Sequence, residues 1–110
     1  MKRLPMTNAA AAMFRALAAR AGLIPDRTLL SAVSTTDWHS LTLEGERHRF
    51  ALRLTGPTAQ GAATALCDGI EDAEFVLSGW IVADIAVERG PLVGDDGAVE
   101  IGIEALTIRE

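Results

Sequence analysis

The stretch SLTLEGERHRFALRL, residues 40–54, decides the fold, because apolar and polar side chains alternate through it with a period of two. Leu41, Leu43, Phe50, Leu52 and Leu54 alternate against Ser40, Thr42, Glu44, Arg49 and Arg53, as in strands with one buried face. Two strands therefore run from about Ser31 to Leu54. Gly45-Glu46 supplies the glycine-first dipeptide of a two-residue type II′ hairpin turn, which would set the cross-strand register. Glu44 then faces Arg47, Leu43 faces His48, Leu41 faces Phe50, and the Trp38 indole faces Arg53.

On the N-terminal side of this hairpin, residues 8–21 read as a helix. Thr7 or Asn8 caps it, alanine fills its interior, and Gly22 stops it. Ala10, Met13, Phe14, Leu17, Ala18 and Ala21 recur at helical spacing and form its packing face, while Arg15 and Arg20 lean outward. Leu23 to Arg27 connects, with Pro25-Asp26 able to start one further helical turn through Leu30.

On the C-terminal side, Gly56-Pro57 opens a second helix whose buried stripe is Ala59, Ala62, Ala63, Leu66, Cys67 and Ile70, ended by Gly69. Residues 79–88 form a third strand with Ile81, Ala83, Ile85 and Val87 on one face and Trp80, Val82, Asp84, Ala86 and Glu88 on the other. A turn-rich loop runs from Gly90-Pro91 to Gly97. Residues 98–109 are the fourth strand, in which Val99, Ile101 and Ile103 give way to Leu106 and Ile108, a phase slip that predicts a β-bulge near Glu104-Ala105.

The order α-β-β-α-β-β defines a single α+β domain over residues 1–110, a two-layer sandwich with both helices on one face of a four-stranded sheet. By analogy of element order alone, it matches a ferredoxin-like arrangement with its first strand moved to the end of the chain. The expected sheet order is third, fourth, second, first, with the fourth strand parallel to the second. Charge agrees with that order. Residues 1–55 hold eight basic and four acidic side chains, residues 56–110 two basic and eleven acidic, so neighbouring halves complement each other.

Composition narrows the functional classes. A net charge of −5 argues against non-specific nucleic-acid binding, and the sheet lacks the central aromatics and basic surround of an RNA-binding sheet. The lone Cys67 excludes an internal disulfide, and on the helix stripe it reads as a small buried hydrophobe. Arg15 and Arg20 interrupt the alanine-rich segment before it could serve as a secretory leader, and no stretch is apolar enough to span a membrane. A cytoplasmic protein is the expectation.

Among candidate chemical groups, Asp37 could orient His39 as a general base. His48 stands about four residues away along the ribbon, on the order of 13 Å, too far to share a metal with His39. Both histidines read as hydrogen-bonded residues at the sheet margins. Asp84, Glu88, Glu100 and Glu104 could gather as oxygen ligands, but the arginines nearby compete for them, so salt bridges are expected and no metal or cofactor. Gly94-Asp95-Asp96-Gly97 reads as a hairpin turn and not a calcium loop.

What stands out is the open sheet face. Trp38, Trp80 and Val82 are expected there among Arg47, Arg49, Arg53, Glu100 and Glu104, a surface suited to a protein partner, above all a second copy of the chain in a homodimer. The alternative is a small enzyme or binding protein that holds an anionic molecule against the arginine row.

Overall fold

The computed structural model describes residues 5–23 and 28–110; Pro25-Asp26 lies outside the described residues, and Thr28–Leu30, where a helical turn begun there would end, are strand. Helix α1 (Asn8–Arg20) begins at Thr7, whose hydroxyl accepts the Ala10 N–H at 3.1 Å. It ends in a Schellman turn. With Gly22 at φ +75°, the Gly22 N–H reaches the Ala19 carbonyl and the Leu23 N–H the Ala18 carbonyl, each at 3.0 Å.

The strands are β1 (Thr28–His39), β2 (Glu44–Leu54), β3 (Trp80–Val93) and β4 (Val99–Arg109). Helix α2 (Ala59–Cys67) and a short 3₁₀ turn (Ile70–Asp72) stand between β2 and β3. The sheet order is β1-β2-β4-β3, which places the basic strand beside the acidic one, as the charge pattern requires. Every pairing is antiparallel, which corrects the expected parallel β2–β4 contact. The reason is geometric: α2 carries the chain back to its starting end, so β3 runs with β2, and the tight β3–β4 hairpin then reverses β4 against both.

The first hairpin also differs from expectation. Its loop is Ser40–Leu43, not Gly45-Glu46, and the pairs are Val33 with Phe50, Thr35 with His48, Trp38 with Gly45 and His39 with Glu44. Trp38 therefore does not face Arg53, and Leu41 is fully exposed at the loop tip. Gly45 is needed for a different reason: a Cβ on it would collide with the Thr107 carbonyl oxygen of β4. Its value lies in close strand approach.

No bulge interrupts β4, whose pairing with β2 is continuous from Val99 to Ile108. The irregularities sit in β3, between Val82 and Asp84 and again on either side of Arg89, and β3 continues through Gly90-Pro91 to Val93, where a loop was expected. Along β4 the inward side chains are thus Val99, Ile101, Ile103, Ala105 and Thr107, opposite Leu54, Leu52, Phe50, His48 and Glu46 of β2. The core lies between this face and the helices, built from Met13, Phe14 and Leu17 of α1, Ala62, Ala63 and Leu66 of α2, and Phe50, Leu52, Ile101 and Ile103 of the sheet. Alanine on both helices lets their backbones sit close to the strands, which compensates for the scarcity of aromatic side chains.

Candidate functional site

The face of the sheet away from the helices follows from the register. β1 contributes Leu29, Ala32, Ser34, Thr36 and Trp38; β2 contributes Gly45, Arg47, Arg49, Ala51 and Arg53. β4 adds Glu100, Gly102, Glu104, Leu106 and Ile108, and β3 adds Ile81, Asp84, Ala86, Arg89 and Leu92. Trp80 and Val82 are not among them. The bulge after Val82 shifts the phase of β3, so both side chains pack against the core from the helix side, and Trp80 borders a hollow with Ala12 and Arg15 of α1. Arg109 stacks on the Trp80 ring at 5.2 Å, a cation–π contact formed in place of the one expected between Arg53 and Trp38.

The arginine row is neutralised within the chain. Arg47 bonds Glu104 at 2.8 Å, Arg49 pairs with Glu88, and Arg53 pairs with Asp96 and lies 3.6 Å from Glu100. Asp96 comes from the β3–β4 turn, where a bond from the Ala98 N–H and the Arg53 guanidinium hold its carboxyl below the usual carboxylate range. Sequence reasoning missed Asp96 as a partner, since its turn approaches Arg53 only once β4 lies beside β2. Between these ion pairs the small residues Ala32, Ala51 and Gly102 leave a shallow trough of about 480 Å³, rimmed by Arg49, Glu88 and Arg89.

The ends of this face are apolar. Leu29, Ile81 and Leu92 are each more than half exposed, whereas Leu106 and Ile108 are nearly covered although they lie on the open side. Trp38 stands across from Gly45, and Gly45 across from Ile108, whose Cδ1 lies 3.0 Å from where a Cβ on Gly45 would stand.

The candidate proton-transfer groups separate. Asp37 and His39 are exposed at the end of β1, opposite Glu46 and Glu44. His39 borders a shallow hollow of loop residues 40–43 with Arg109. His48 is instead fully buried on the central strand β2, which corrects its placement at a sheet margin. Its Nδ1 lies 3.0 Å from the Thr35 hydroxyl, its Nε2 2.9 Å from the Thr107 hydroxyl, and its ring stacks on Phe50. Burial pushes the imidazole pKa down, opposed in part by the Glu46 carboxylate 4.0 Å away.

Cys67 is half-buried against the core, where burial pushes its thiol pKa up and Arg20 opposes that shift. Arg20, expected to lean into solvent, turns to α2 and donates to the carbonyls of Leu66 and Asp68. These are orphan acceptors at a helix end, a role for which the sequence carries no local signal. Among the described residues, no group of three or more potential metal ligands converges, and no helix is long and apolar enough to cross a membrane.

Comparison with known protein families and with curated proteins returns no match to this chain.

Proposed function

We propose that this domain is a non-catalytic interaction module that associates with a second copy of itself through the sheet. The observation that carries this reading is the open face: its arginine row Arg47, Arg49 and Arg53 is already paired within the chain, while Leu29, Ile81 and Leu92 stay wet around small side chains. Arginines already paired with carboxylates of their own chain cost less to cover than free ones, and exposed apolar residues gain from cover. The groups suited to proton transfer support the same reading. His48 is held between two hydroxyls, and Asp37 and His39 sit beside the acidic Glu44 and Glu46. The strand order with both helices on one side also supports the permuted ferredoxin-like arrangement, in which this face is the surface left for a partner.

Sedimentation equilibrium tests the proposal: a dimer populated at tens of micromolar is expected, and a strict monomer up to millimolar concentration overturns it. A second reading, an anionic small molecule in the trough, is favoured by Arg89, which rims the trough and has no carboxylate within ion-pair distance among the described residues. Titration with citrate, followed by the shift of the Arg89 side-chain resonance and abolished in Arg89→Gln, tests that reading.

A further inference from the structure

The two edges of the sheet are built differently. β3 is broken by three register shifts, carries Pro91, and presents Asp84, Glu88 and Arg89, all devices that prevent another strand from adding to an edge. β1 has one bulge, at Ser31, and beyond it runs regularly from Ala32 to His39 with no proline and a single carboxylate, Asp37. The helices pack chiefly over β2, β4 and β3, and β1 forms the edge, reaching the core only with Leu30 and Val33 among the partly buried residues.

Which backbone groups of β1 are free follows from one hydrogen bond. The Ser40 N–H donates to the Leu43 carbonyl at 3.0 Å, which makes that pair a hydrogen-bonded one, and the pairs alternate from there along the hairpin. Trp38, Thr36, Ser34 and Ala32 therefore bond to β2. The N–H and C=O groups of Val33, Thr35, Asp37 and His39 point away from the sheet.

We infer that β1 pairs antiparallel with β1 of a second copy, joining two four-stranded sheets into one of eight strands about a two-fold axis at Thr36. This inference rests on the self-association proposed above and places the contact at the edge of the sheet, not on its open face. The regular segment is self-complementary. With Thr36 on the axis, Val33 faces the partner's His39, Thr35 the partner's Asp37, and Ser34 the partner's Trp38. Every free group then gains a partner, about eight backbone bonds in all, and no two carboxylates stand opposed. A partner of unrelated sequence could use the same bonds, but this register arises from β1 alone. Both copies keep their helices on the same side of the joined sheet, because the two-fold axis stands perpendicular to it.

Cysteine crosslinking and amide exchange test it on the whole chain. In a Cys67→Ser background, Thr36→Cys is expected to form an intermolecular disulfide under mild oxidation, because residues on the axis of an antiparallel pair approach to about 4.5 Å between Cα atoms. Ser34→Cys, displaced from its own copy by about 13 Å, is not. The Val33, Thr35 and Asp37 amides are expected to slow their exchange at least tenfold as concentration rises through the dimer range. Thr36→Lys, which sets two like charges together on the axis, is expected to weaken the dimer tenfold or more with an unchanged far-ultraviolet spectrum. A dimer that forms with fast exchange at those three amides and no Thr36→Cys crosslink overturns the edge pairing and leaves self-association standing. A chain that stays monomeric overturns both.

Discussion

The Nε2 atom of His48 lies 2.9 Å from the Thr107 hydroxyl, and this contact joins the two central strands inside the core. Thr107 in turn donates to the Glu46 carbonyl at 3.4 Å, so it accepts the Nε2 proton, while the Thr35 hydroxyl donates to Nδ1. The network thus assigns a neutral imidazole with its proton on Nε2. Thr107→Val keeps the shape but orphans that proton, and a loss of about 1–3 kcal/mol in urea unfolding is expected.

The same residue sets a pH dependence. The folded pKa of His48 is lowered from 6.5, so below about pH 6.5 the unfolded chain takes up a proton that the folded chain resists. Stability from this source is present above that pH and is lost as pH falls toward the folded pKa, by at most about 1.4 kcal/mol per pH unit. Urea midpoints measured from pH 7.5 to 5.0 should fall, and the His48→Gln variant should lose that component of the slope.

This pair also shows which parts of the fold were legible in the sequence. Helix ends could be read because their signals are local: Thr7 caps α1 and Gly22 closes it. Thr107 could not, since its hydroxyl is satisfied by a histidine 59 positions away, and a polar residue at an inward position looks like a slip of phase. The bulge expected at Glu104-Ala105 was the image of that buried threonine, and the true bulge in β3 turned Trp80 to the helices. Of the proposed face, the arginine row and Glu88, Glu100 and Glu104 were legible because charge alternates along each strand, whereas Asp96, in a turn, required the strands to be placed.

Two glycines should respond to alanine with opposite signs. At Gly45 the added Cβ meets the Thr107 carbonyl, a backbone atom that cannot move without opening the β2–β4 ladder. Gly45→Ala is expected to cost about 1–3 kcal/mol or to prevent folding. Gly61 lies within α2 with open space where a Cβ would stand, and Gly61→Ala should stabilise by up to about 1 kcal/mol. Thermal denaturation of the two variants beside the wild type checks both signs.

The ion pairs of the open face should contribute little to folding. Arg47 and Glu104 are each about one-third exposed at 2.8 Å separation, a setting in which exposed pairs couple by about 0.2–1 kcal/mol. A double-mutant cycle with Arg47→Gln and Glu104→Gln should return a coupling in that range, and the coupling should shrink between 50 mM and 1 M salt.

Arg20 should matter more than any of these surface charges. Its Nε donates to the Leu66 carbonyl at 2.9 Å and its Nη2 to the Asp68 carbonyl, so one planar fork closes the end of α2 and ties it to α1. The fork meets two acceptors that no intrahelical donor can reach, whereas an ammonium on a flexible stem would meet one at a time. Arg20→Ala is expected to lose about 1–3 kcal/mol, Arg20→Lys to recover only part of it, and the amides of residues 66–72 to exchange faster in both. If the lysine variant matches the wild type in unfolding midpoint and in exchange at those amides, the fork is not what holds α2, and charge near the helix end suffices.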